Sequence, residues 1–415
     1  MSSQLVDGPE HVIPDLTDQG TFADAMPYDV FRRLRERPGL YWQPTTVSTH
    51  NGGYWAVMRY ADIVAVEHDT DRFTSRLGAA YPSMISEDMD VPSRNTLMMK
   101  DPPEHTRLRR AAAKGFSPRV VANFDPWVRD IVREQIDRVA GLATFDVVEV
   151  FAQTIPAYVI ARVMGAPADR TPQMVKWVRA VFASTQQGGG ATGDRPILNM
   201  VPLIEEVAVF SQEMQALKRE NPADDMFTAL NACVDRGEIT QPEFLQWMFV
   251  MMAAGYETTN TTIAHAMRMY LEDEEVRQAT DRALDQGEAQ LAISEYVRLI
   301  SPVIQMARTA TRDTELAGEQ IRKNDVLVLY YPSANRDADA FAEPDRFDPW
   351  RSEQQHLAFG AGVHRCIGMS LAKLEVQILF EELRARDVRL RLNGPPRRGW
   401  SNFVNQLLEL PVARD

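Results

Sequence analysis

Apolar residues crowd one stretch of the chain on every side. "FLQWMFVMMAAG" (244–255) has no clean polar stripe, and a helix that is apolar all round is buried all round. Thr240-Gln-Pro-Glu243 opens it as a capping box with proline in the first turn. No further proline intervenes before Leu271, which predicts a helix of about 31 residues and roughly 46 Å. A chain that threads such a helix through its centre is built around it. Elsewhere, "SPRVVANFDPWVRDIVREQIDRVA" repeats apolar residues at helical steps, and the chain from about 103 to 235 reads as helical. "MSLAKLEVQILFEELRAR" (369–386) starts another amphipathic helix. Residues 1–100 mix short helices and strands, and "GGYWAVMRY" (52–60) predicts a hairpin arm. Beyond residue 300, short strands dominate in "QMARTATRDTELAG" and "QIRKNDVLVLYY". Residues 78–95, with Gly78, Pro82 and Pro92, predict a long mobile loop, and 183–196, "ASTQQGGGATGDRP", predicts a hinge or lid. The sum is a mainly α fold with small β-sheets.

Composition narrows the function. A chain of 415 residues, 45% hydrophobic, can bury a large core, and no repeat or proline-rich linker divides it. Residues 1–415 therefore read as one domain. A net charge of −13 argues against nucleic-acid binding, which needs a basic footprint. Two cysteines build no disulfide framework and suit a reducing cytoplasm. The start, "MSSQLVDGPEHVIPDLTDQG", lacks the basic and apolar regions of a signal peptide, and no apolar run is long enough to span a membrane. The expectation is a soluble, cytoplasmic protein.

Cys233 reads as a core thiol. Cys366 differs: Gly360, Gly362 and Gly368 surround it in "FGAGVHRCIG" (359–368), just before a helix start. Such glycines let the backbone turn tightly and let a flat object come close. The positive end of the helix favours a thiolate. A nucleophile would want a base, and His364, two residues away on a loop, is poorly aimed. A zinc site would need more sulfur or histidine than the seven histidines supply at paired spacing. One axial thiolate on haem iron needs one cysteine only, and elimination favours it.

"FGAGVHRCIG" resembles, without departure, the haem-binding loop Phe-Gly-x-Gly-x-His-x-Cys-x-Gly of the cytochrome P450 superfamily. The resemblance extends over nearly the whole chain. It implies the P450 fold with no fused reductase, haem b as cofactor, Cys366 as the iron ligand, and Phe359 and Gly368 as parts of the haem cradle. "EYVR" holds Glu295 and Arg298 on one helical face; alone this is an ordinary ion pair, but it resembles the family's Glu-x-x-Arg element, with Arg346 of "EPDRF" as the third, structural member. "AAGYETT" (253–259) resembles the family's acid–alcohol pair beside bound dioxygen, making Glu257 and Thr258 the proton-delivering residues. Thr258 can bond back to the carbonyl of Ala254 and open the helix locally. "DPPEHTRLRR" (101–110) resembles the segment that holds the haem propionates through His105 and Arg109, joined by Arg308 and His364.

The activity implied is a monooxygenase. It would insert one oxygen atom from O2 into a C–H bond of a terpenoid-, steroid- or fatty-acid-like substrate. Electrons would come from a ferredoxin and its NAD(P)H-dependent reductase. By position, Met98, Ala253, Tyr256, Val303, Ile304 and Phe403 are expected to line the substrate pocket, with the 78–95 loop closing its top. Arg107, Arg110, Lys114 and Arg119 form a basic patch suited to an acidic electron carrier. A peroxide-driven peroxygenase and a non-catalytic haem sensor are the alternative readings.

Overall fold

The computed structural model describes residues 13–47, 49–82, 84, 92–186 and 196–414. Residues 83 and 85–91 of the predicted loop 78–95, and the Gly-rich core 187–195 of the segment 183–196, lie outside the described residues. Helix accounts for 52% and strand for 12%, so the mainly α expectation holds.

The central helix runs from Gln241 to Glu272. Its capping box is formed as the sequence predicts: Glu243 N donates to Thr240 Oγ1 at 3.4 Å, and Thr240 N donates to Glu243 Oε2 at 2.8 Å. Phe244, Trp247, Met248, Met251, Met252 and Tyr256 all enter one hydrophobic core. Helices Thr154–Met164, Ala289–Ile300 and Met369–Ala385 pack around it. The apolar residues of these helices explain why a 32-residue helix is stable in water: its partners cover several sides at once.

A five-stranded sheet lies outside this helical body. Its order is Tyr41–Pro44, Gly53–Val57, Val326–Tyr330, Gln305–Ala310 and Phe73–Thr74. Tyr41–Pro44 and Gly53–Val57 form the predicted hairpin, with Trp42 opposite Trp55. Gly53–Val57 then pairs in parallel with Val326–Tyr330, Trp55 opposite Leu327. "VLVLY" is buried at every position because apolar clusters cover both faces of the sheet. Its neighbour Gln305–Ala310 carries Arg308.

A three-stranded sheet joins Thr144–Asp146, Pro411–Arg414 and Leu390–Leu392. A short hairpin of Arg397–Arg398 and Leu407–Glu409 precedes the C-terminal strand and presents the loop that contains Phe403. Among the described residues no helix is long and apolar enough to cross a membrane.

Candidate active site

The cysteine loop is shaped by its glycines. Gly360 and Gly362 adopt φ of 66° and 59°, a region that side chains disfavour. A Cβ on Gly362 would also run into the Glu67 carbonyl oxygen. These glycines therefore seat the loop against the helix Tyr60–His68, a reason beyond room for a flat ligand. The loop closes when Cys366 N donates to the Phe359 carbonyl at 2.8 Å. Gly368 caps the helix Met369–Ala385. Phe359 lies between the His356 ring, 5.7 Å away, and the Lys373 ammonium, also 5.7 Å from the ring centre.

Cys366 is exposed to solvent, yet burial among surrounding protein is the largest influence on its thiol. Together these place the sulfur on the wall of an interior space. Burial pushes the thiol up from its ordinary value, against the pull of the Gly368 and Met369 N–H groups, Arg109 and Arg365. The helix start therefore acts in the expected direction but loses to desolvation; a cation bound at the sulfur would supply the missing stabilisation.

Around this sulfur the fold gathers residues from four separate segments. His105 is 1% exposed, and its ring lies 4.4 Å from that of His364. Burial, helped by Arg109, holds His105 down to about 4, and burial, helped by Arg308, holds His364 down to about 2. Both rings are therefore neutral N–H donors at neutral pH, and Arg109 and Arg308 carry the positive charge. His105 Nε2 is buried with no hydrogen-bond partner. Arg308 is 2% exposed; it donates to the Ala307 carbonyl and keeps Nη2 3.7 Å from Glu67 Oε1. One soft sulfur donor, two guanidinium groups and an unsatisfied buried imidazole suit a dianionic porphyrin bound through iron. Among the described residues no cluster of His, Cys, Asp and Glu could hold a bare metal ion.

Glu67 was not foreseen. It is 2% exposed, accepts the Ala361 N–H at 2.7 Å and the Tyr331 hydroxyl at 2.7 Å, and so ties the cysteine loop to Arg308. "ADIVAVEH" also holds Asp62 and His68, so the sequence offers no clear signal for Glu67; its burial alone sets it apart.

On the central helix, Thr258 Oγ1 donates to the Ala254 carbonyl at 2.7 Å, as its spacing predicts. Helical structure nevertheless continues unbroken from Gln241 to Glu272, so the expected local opening is absent. The hydroxyl adds to the backbone ladder without displacing it. Ala254 is exposed in the middle of this buried helix, so it faces an interior space as Cys366 does. Glu257 Oε1 accepts from Gln406 Nε2 at 2.5 Å, a partner the sequence did not suggest.

Several expectations need correction. Glu295 and Arg298 do pair, at 2.7 and 2.8 Å, fully buried. The third member is Arg351, not Arg346. Arg351 Nε donates to Glu295 Oε1 at 3.0 Å, and Arg351 is 7% exposed. The Arg346 side chain points to solvent and pairs with Glu343; only its carbonyl reaches the cluster, accepting from Arg298 and Arg351. Spacing could not separate two arginines five residues apart in an irregular loop.

Tyr256 and Ile304 are 1% and 0% exposed and belong to core clusters, so neither lines an open pocket. Tyr256 stands about 160° round the helix from Ala254. Ala253, Val303 and Phe403 keep partial exposure, and Met98 is 39% exposed. Val303 bridges Val404, and Ile304 N donates to the Phe403 carbonyl, so the predicted residues after the Glu-x-x-Arg helix instead brace the Phe403 loop. Arg107 is also withdrawn from the basic patch: it forms a two-point pair with buried Glu243. Arg110, Lys114 and Arg119 remain exposed.

Residues 17–384 match the family model described as Cytochrome P450. A steroid C26-monooxygenase of Rhodococcus jostii is 31% identical over 411 residues, covering 96% of this chain and 84% of the relative. A linalool 8-monooxygenase of Pseudomonas putida is 30% identical over 413 residues, covering 96% and 98%. Among solved structures, CYP108D1 from Novosphingobium aromaticivorans superposes with a TM-score of 0.82 at 28% identity, covering 97% of this chain and 98% of that one.

Proposed function

The chain belongs to the cytochrome P450 family, and from that premise we propose that this monooxygenase hydroxylates a lipophilic terpenoid-, steroid- or fatty-acid-like substrate with electrons from a ferredoxin and its NAD(P)H-dependent reductase. Members of the family bind haem b. We read residues 1–415 as one haem domain working in the cytoplasm. The observation that carries the reading is the convergence of Cys366, Arg109, Arg308, His105 and His364 on one interior space.

Haem b, when bound, supplies the activation of O2 and the insertion of one of its oxygen atoms into a C–H bond, the other leaving as water. Cys366 would hold the iron from the helix Met369–Ala385 side. Arg109 and Arg308 would neutralise the propionates, and the neutral His105 would donate an N–H bond to them beside His364, whose Nε2 lies 3.3 Å from Ser75 Oγ. Thr258 holds its hydroxyl proton on the Ala254 carbonyl and can turn it toward the interior space. Glu257, one residue earlier, replenishes that proton. Exposed Arg110, Lys114 and Arg119 give an acidic ferredoxin a docking face. The apolar substrate class draws support from the linalool and steroid oxidations named for the relatives at about 30% identity.

Retention of both Glu257 and Thr258 favours oxygen over peroxide as oxidant, since a peroxide-driven enzyme brings its protons with the oxidant. The test is a panel of terpenoids, steroids and fatty acids screened by the haem spin-state shift, followed by turnover with ferredoxin, reductase and NADH against turnover with hydrogen peroxide. Faster product formation with peroxide would replace the monooxygenase reading by a peroxygenase. A haem that binds ligands but forms no product with either oxidant would mark a sensor.

A further inference from the structure

The hairpin of Arg397–Arg398 and Leu407–Glu409 is fastened to the central helix at two points. His265 Nε2 donates to the Asn405 carbonyl at 2.9 Å, and Gln406 Nε2 donates to Glu257 Oε1 at 2.5 Å. Asn405 is itself fixed, donating to the Ile300 carbonyl from its side chain at 2.8 Å and to the Pro302 carbonyl from its backbone at 2.9 Å. Gly399 faces Gln406 across the hairpin, and a Cβ there would come within 2.6 Å of Gln406 Oε1 and 2.9 Å of Gln406 Cβ. Glycine at this position lets the glutamine side chain lie across the hairpin and reach the helix.

The same short loop carries Phe403. Ser401 Oγ accepts the N–H groups of Phe403 and Val404 at 3.1 and 3.0 Å, and Gln406 N donates to the Val404 carbonyl at 2.8 Å. Residues 401–406 are thus one tightly bonded unit. It presents Phe403 with partial exposure at one end and grips Glu257 at the other.

We propose that Gln406 is a positioning residue for the Glu257 carboxyl, and that through it the Phe403 loop couples substrate contact to proton delivery. A carboxylate held by an amide N–H cannot swing freely, and a small misplacement of a catalytic group is costly. Displacement of Phe403 by a bound substrate would move Gln406 and with it Glu257. The inference rests on the reading of Glu257 and Thr258 as the proton-delivering pair.

Two measurements on the haem-loaded protein test it. The first is a thermal-unfolding cycle of Glu257→Ala, Gln406→Ala and the double variant. The double variant is expected to unfold no lower than the worse single one, and strictly additive shifts would overturn the pairing. The second compares Gln406→Leu and Thr258→Ala for peroxide released per NADH, with linalool as probe, or testosterone if linalool leaves the spin state unmoved. Gln406→Leu is expected to raise peroxide release roughly threefold or more. It should leave the carbonyl band in place and the spin-shift Kd within about twofold, values that a merely misfolded loop would move. The exchange Glu257→Gln with Gln406→Glu should recover most of the thermal midpoint. If Thr258→Ala uncouples and Gln406→Leu does not, this inference fails alone. If neither uncouples, the pair itself is misread. Peroxide released per NADH is read with either probe whether or not product forms, so this comparison decides the proposal in every case.

Discussion

Cys366 owes its character to competing neighbours. Gly368 and Met369 N–H groups, Arg109 and Arg365 favour the thiolate, and burial outweighs them. Replacing Cys366 with alanine should abolish the red-shifted carbonyl Soret band of the reduced protein, and a band that persists would move the iron ligand elsewhere. Thr258 makes the bond to Ala254 that its position demands, so alanine there removes a hydroxyl without disturbing an unbroken helix. Peroxide release per NADH should rise several-fold, roughly the loss of one positioned proton donor, while the melting temperature stays close to that of the parent. An unchanged ratio would mean the helix delivers protons by another route.

At the scale of elements, the Glu295–Arg298–Arg351 cluster locks the helix Ala289–Ile300 to the irregular chain that leads into the cysteine loop. Arg298 donates to the carbonyls of Asn335, Pro344 and Arg346, so it satisfies backbone that no sheet or helix satisfies. Arg351→Ala leaves part of a buried carboxylate unpaired and should cost about 3–5 kcal/mol. Arg346→Ala removes a solvent-facing ion pair and should cost less than about 0.5 kcal/mol. Urea unfolding of the two variants separates them; equal losses would restore Arg346 to the cluster. The Glu-x-x-Arg pair was legible because both residues sit on one helix with known periodicity. Its third member was not, because the loop that delivers Arg351 has no period, and only burial distinguishes it from Arg346.

The whole molecule carries buried titrating groups of opposite sign. His356 is held down to about 3 by burial, with help from Lys373, and the fully buried His265 lies well below its ordinary value, again through burial first. Their unfolded forms bind protons below about 6.5, so the unfolded state takes up more protons and stability falls as pH drops from there toward 3. Glu375 behaves in the other direction. It is 2% exposed, its Oε2 has no partner, and burial raises it well above the ordinary carboxyl range. Its stabilising effect is present below the unfolded value of about 4.5 and is lost as pH rises. Urea midpoints of the holoprotein should therefore decline from pH 7 to pH 4, with a shallower slope in His356→Asn. Glu375→Leu should gain stability at pH 8 relative to the parent. A variant slope identical to the parent's would remove His356 from this account.

Local rules sufficed for much of this protein. The long central helix, its cap, the hairpin at Gly53–Val57, the strands after residue 300 and the Thr258–Ala254 bond all follow from spacing within a few residues. The cysteine loop was legible because its glycines and its sulfur stand next to one another in the chain. What folding alone decided are contacts between distant segments: Glu67 beneath Gly362, Gln406 on Glu257, Arg351 on Glu295, and Tyr256 and Ile304 turned into the core. The neutral state of His105 and His364 belongs here too. Burial and unlike neighbours are properties of three-dimensional surroundings, and no window of sequence contains them.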